Sequence, residues 1–199
     1  MLSHIDLKKS VVFVLDGNPC QVLSHSLIFK GRGSSVMQVR FKNLKTGNVL
    51  NRTFHTGEEV EEADIEKAQV KFVYEHRGRY VFSEANNSSK RFELSKEQIG
   101  TQIKFLIPNT ILEGIRFQGE MVNISLPIKM NLKVKEAPPG VKGDRAQAGT
   151  KTITLETGAE IQVPLFVETG DVIEINTEIG AYVRRVPTER KAALRREDG

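Results

Sequence analysis

"VVFVLDGNPCQVL", residues Val11 to Leu23, decides the fold class. A valine-rich run, an Asp16-Gly17-Asn18-Pro19 turn and a second apolar run form the pattern of a β-hairpin. Working outward, "SHSLIF" (24–29) and "SSVMQVRF" (34–41) flank a tip, Lys30-Gly31-Arg32-Gly33, and "NLKTG" (43–47) turns the chain into "NVLNRTF" (48–54). Strands at such short spacing, with no long helical period between them, predict a small antiparallel barrel or roll. The acidic stretch Thr56 to Glu66 closes this unit and reads as a solvated loop.

Two further β-rich units follow. "VKFVYEHRGRYVFSE" (70–84) is a hairpin turning at His76-Arg77-Gly78, and "EGIRFQGEMVNISLP" (113–127) is another around Gln118-Gly119. Between them "LSKEQIG" predicts a short helix, with Ser95 and Gln98 at capping-box spacing. From near Ile128 a strand runs into the Gly- and Pro-rich "EAPPGVKGDRAQAG" (136–149), and strands up to Val186 are punctuated by Thr-Gly and Ile-Gly turns. Units two and three have the length and strand density of five-stranded OB barrels, although other small barrels share that period. Boundaries are predicted at 1–64, 65–127 and 128–186, with a charged tail at 187–199 that forms a short helix or stays disordered.

Composition narrows the chemistry. The 199 residues carry a net charge of +4, with 39% apolar and 27% charged residues, which is ordinary for a globular chain. No apolar run approaches the roughly 18 residues of a membrane span, and "MLSHIDLKKS" has no secretory pattern. The single cysteine, Cys20, reads as a half-buried strand residue and fits a reducing cytoplasm. His4, His25, His55 and His76 are scattered surface or strand histidines beside no nucleophile elbow, so no catalytic constellation, metal site or cofactor site is predicted.

The charge pattern is more telling than its sum. Between Asp16 and Glu58 there is no acidic residue, while Lys30, Arg32, Arg40, Lys42, Lys45 and Arg52 fall inside that interval. Glu58, Glu59, Glu61, Glu62, Asp64 and Glu66 then crowd together. A positive lobe of this kind draws polyanions, and the scarcity of aromatics within it favours phosphate contact over base stacking. A solvated basic face with no partner is the alternative.

The blocks "TLETGAEIQVPLFVETGD" (154–171), the KGRG hairpin with "RFKNLKTG" (40–47), and "AQVKFVYEHRGRYVFSE" (68–84) resemble, in order and spacing, bacterial translation elongation factor P. The resemblance covers essentially Met1 to Val186. It implies an L-shaped, tRNA-sized monomer with an N-terminal KOW/SH3-like barrel and two OB barrels, free of membrane and not an enzyme. Such a protein binds both ribosomal subunits between the peptidyl and exit tRNA sites and relieves stalling at consecutive prolines. The tip Lys30-Gly31-Arg32-Gly33 would reach the CCA end of peptidyl-tRNA, with Arg32 as the tip residue. Arg40, Lys42, Lys45 and Arg52 would contact RNA phosphates.

Two loops depart from the family pattern. The tip places arginine in a frame typical of lysine members, which leaves both a rhamnosylated Arg32, made by an arginine-modifying glycosyltransferase, and an unmodified one open. The loop Gly143-Asp144-Arg145-Ala146-Gln147-Ala148-Gly149, expected to face an exit-site mRNA codon, carries Arg145 and Gln147 where small hydroxyl residues are usual. That change favours phosphate over base contact. A general single-stranded RNA or DNA binder built from OB barrels is the competing reading.

Overall fold

The computed structural model describes residues 1–29, 35–139 and 149–187. The tip Lys30 to Gly33, the loop residues Gly143 to Ala148 and the tail from 188 onward lie outside the described residues. What is described is almost entirely antiparallel β-structure in three sheets.

The first sheet comprises β1 (Leu2–Ser3), β2 (Val12–Leu15), β3 (Asn18–Phe29), β4 (Ser35–Asn43), β5 (Val49–His55) and β6 (Glu59–Glu62), ordered β1-β6-β2-β3-β4-β5. Its opening hairpin is tighter than the four-residue turn expected. Leu15 pairs with Asn18 and Val14 with Pro19, so Asp16 and Gly17 alone make the turn, at φ of 50° and 73°. Positive φ at both central residues is what a two-residue turn on twisted strands requires, and Asp-Gly supplies it. Inward-facing residues then meet in a core of Leu7, Phe13, Cys20, Val22, Met37, Val39, Phe41 and Phe54. Phe13 lies edge-on to Phe41 at 5.2 Å and to Phe54 at 5.8 Å, the arrangement that aromatic quadrupoles favour.

The acidic stretch is not a loop. Glu59 to Glu62 form β6, pairing Leu2↔Val60 on one side and Phe13↔Glu62 on the other, and Ile65 already opens the next strand. The carboxylates do face solvent, as read from composition, but the backbone beneath them completes the sheet.

The second sheet contains β7 (Ile65–His76), β8 (Arg79–Glu84), β9 (Asn87–Ser95), β10 (Ile111–Phe117) and β11 (Glu120–Ser125), ordered β11-β10-β7-β8-β9. Arg77-Gly78 and Gln118-Gly119 repeat the positive-φ two-residue turn. Helix α1 (Lys96–Ile99) follows β9 through the expected capping box. The Gln98 amide donates to Ser95 Oγ at 3.3 Å, and the Ser95 amide donates to Gln98 Oε1 at 2.9 Å. The third sheet contains β12 (Lys129–Glu136), β13 (Thr150–Leu155), β14 (Glu160–Pro164), β15 (Val172–Asn176) and β16 (Ala181–Val186), ordered β14-β13-β12-β15-β16. Sheets two and three thus wind identically, the first strand central between the second and the fourth, as in OB barrels.

The described chain groups into two compact units, residues 1–100 with 108–125, and 101–107 with the remainder from 126. Within the first unit, sheets one and two share a second core of Val12, Leu44, Ala63, Ile115, Phe117 and Val122. Among the described residues no helix is long and apolar enough to cross a membrane.

Candidate nucleic-acid interface

The hairpin β3–β4 sets the candidate site, because its two strands leave the core differently. From Ser24 to Phe29 every residue of β3 is exposed, Phe29 by 77%. The returning strand β4 keeps Val36, Met37 and Val39 buried. Pairing nevertheless runs on to Phe29↔Ser35, so the stem is intact up to the residues that carry the tip.

Ser35, where the chain re-enters the described structure, is fastened from three directions. Its amide donates to Thr56 Oγ1 at 3.2 Å, and the Thr56 hydroxyl donates to the Ser35 carbonyl at 2.8 Å. Its Oγ lies 3.0 Å from His4 Nε2. His4 is accordingly a buried residue on a short 3-10 turn, not the surface or strand histidine its sequence context suggested. That turn is itself held by Asp6, whose Oδ2 accepts from the Ser3 amide and hydroxyl, and these bonds lower the Asp6 pKa. Sequence gave no sign of this clamp: its partners lie 31 and 21 residues from Ser35, and none belongs to a local motif.

On the outer face of the hairpin, cross-strand rows Ser24–Arg40–Asn51 and Ser26–Gln38–Thr53 line a shallow open groove bordered by His25 and Arg52. Hydroxyl, amide and guanidinium groups in rows suit the oxygens of a phosphate–ribose chain. Arg40 is exposed and makes no ion pair among the described residues. Arg52 stacks its guanidinium 4.7 Å from the Phe54 ring and lies 3.7 Å from Glu58.

The other two predicted cations go elsewhere. Lys45 holds its ammonium 5.7 Å from the centre of the Phe117 ring in the second sheet. Lys42 is half-buried, donates to the Gln98 carbonyl, and has its pKa lowered by burial. The four cations predicted together are therefore divided, two at the groove and two at the seam between sheets one and two. Cys20 is buried as well, more fully than expected, and desolvation pushes its thiol up to about 11.

At the other loop only Gly149 of the predicted set lies among the described residues, at φ of 90°. Lys151 Nζ donates to the Pro138 carbonyl at 2.9 Å and so joins the two ends of that loop.

An all-β chain that opens with a KOW-like barrel and continues in OB-type barrels has the build of a translation factor. Residues 3–60 match the family model "Elongation factor P (EF-P) KOW-like domain", and residues 130–185 match "Elongation factor P, C-terminal". The chain belongs to the elongation factor P family, whose members are translation elongation factors. Elongation factor P of Moorella thermoacetica is 39% identical over 93% of this chain and 100% of its own length. That of Carboxydothermus hydrogenoformans is 38% identical over 94% and 100%. A solved structure, eukaryotic translation initiation factor 5A from Methanococcus jannaschii, covers 62% of this chain and 92% of its own at 18% identity, with a TM-score of 0.46.

Proposed function

We propose that this chain binds the ribosome between the peptidyl and exit tRNA sites and stimulates peptide-bond formation at consecutive prolines. Arg32 at the hairpin tip lies along the CCA end of peptidyl-tRNA and acts by positioning, with no group of the protein joining the chemistry. Steadying a reacting end in a productive geometry lowers the entropic part of the barrier, and this can be worth several powers of ten. The observation that carries the reading is the asymmetric hairpin: one strand stands in solvent while the other is clamped at Ser35, immediately before it would meet RNA. Glycines on both sides of Arg32 allow close approach to a backbone, and the guanidinium fork can hold two oxygens at once.

In this reading the barrels at 1–64, 65–127 and 128–186 act as three domains. Arg40 and Arg52 contact phosphates beside the stem, and the loop Gly143 to Gly149 faces the exit-site codon. The test is reconstituted translation of a message with three consecutive prolines. Adding the chain should speed synthesis of that peptide and leave a proline-free control unchanged, with saturable binding of one copy per ribosome. Equal binding to any single-stranded RNA, without acceleration, would favour a general OB-fold binder.

A further inference from the structure

We propose that Lys42 is a positioning residue: from β4 it ties the hairpin-bearing sheet to the main chain at the end of α1, and so fixes the direction in which the tip leaves the first two barrels. The proposal rests on reading the hairpin as the working end, but its structural half stands apart from that reading.

Two side-chain donors converge on one carbonyl. Lys42 Nζ donates to Gln98 O, and Asn123 Nδ2 donates to the same oxygen at 3.0 Å. Asn123 is itself buried, and its amide also donates to the Leu44 carbonyl at 3.4 Å. The Gln98 side chain reaches on to the Val122 carbonyl at 3.3 Å, joining α1 to β11. One strand of the first sheet and two elements of the second therefore meet at Gln98.

The main chain of the β4–β5 turn rests on the same spot. Gly47 sits at φ of 81°, and a Cβ there would lie 2.1 Å from the Glu97 carbonyl oxygen and 2.7 Å from the Gln98 amide nitrogen. No side chain fits, and no flexible neighbour can yield. Lys45, two residues earlier, covers Phe117. A lysine placed for phosphate contact would keep its ammonium in water. Lys42 instead gives up hydration for a carbonyl, with no ion pair to a carboxylate among the described residues.

The test uses spin labels on the full chain at His55→Cys in β5 and Arg91→Cys in β9, both exposed, while buried Cys20 stays unlabelled. The parent should give one narrow distance distribution. Lys42→Met, which keeps the stem and removes the donor, should broaden or shift it, and Lys42→Arg should restore it. An unchanged narrow distribution in Lys42→Met overturns the proposal. Should Lys42→Met fail to fold, Lys42→Gln, whose shorter side chain cannot span to the Gln98 carbonyl, carries the same expectation, and an unchanged distribution there overturns it equally.

On ribosomes, Lys42→Met should slow three-proline synthesis yet keep the salt slope of binding. A slope lowered by about one would mark Lys42 as a phosphate contact and overturn it. Because the distances are read without ribosomes, broadening combined with an inert tip would leave the coupling intact and refute only the hairpin's role.

Discussion

The two ends of β4 are built on opposite plans. At Asn43 the strand runs into a turn packed on α1, with Leu44 buried, Lys42 turned to α1, Lys45 to the second sheet, and buried Cys20 opposite on β3. At Ser35 it faces the exposed half of β3, and three contacts fasten the strand end next to buried Val36 and Met37. The difference teaches that a rigid base and a lightly held end can share nine residues of one strand. In the function proposed above, the hairpin enters another molecule and cannot carry a core of its own to its tip, so its direction is fixed from the root.

The comparison is broken most violently at the root. Phe13→Ala removes the ring that both T-shaped pairs share, and about 3–5 kcal/mol of stability should go with it in urea unfolding. Phe29→Ala, at the exposed end of the β3–β4 hairpin, should cost no more than about 0.5 kcal/mol. Equal losses would show that the two ends do not differ.

Next in size is the clamp. Thr56→Val leaves the Ser35 amide and carbonyl without the hydroxyl that serves both, at a cost of about 1 kcal/mol. Hydrogen exchange should speed up at Ser35 and stay unchanged at Phe41. Uniform acceleration would make Thr56 a global stabiliser instead.

Salt separates the groove cations from those at the seam. Arg40→Ala should lower the salt slope of ribosome binding by about one, since a free cation releases one counterion from RNA. Lys45→Ala should barely move it, its charge being turned to Phe117.

The smallest effect is a titration. Cys20 has its pKa raised from 9.0 to about 11 by desolvation, so the unfolded chain loses that proton first. The stability linked to Cys20 is therefore complete below pH 9 and declines as pH rises through 11, a decline that Cys20→Ala should remove. A thiol introduced by Phe29→Cys should alkylate at pH 8, at which Cys20 stays inert. Fast alkylation of Cys20 at that pH would show the root to be open.

Much of this was legible in residues with local chemistry. Asp16-Gly17, Arg77-Gly78 and Gln118-Gly119 announce turns because positive φ needs such residues, and Ser95 with Gln98 announces a helix start. Glu59 to Glu62 hid a strand because only Val60 among them is apolar, and the pairing with Leu2 comes from the other end of the barrel. Lys42 and Arg40, two residues apart, look alike in sequence, and only the distant Gln98 carbonyl sets them apart. The Ser35 clamp was invisible for the same reason.

The central claim is that a tip fixed from its root acts by positioning, and Arg32→Ala tests it most directly. Synthesis of a three-proline peptide should fall about tenfold or more, because positioning effects are steep in geometry. Ribosome affinity should change only a few-fold and stability by no more than about 0.5 kcal/mol. Synthesis at the parent rate would contradict the account.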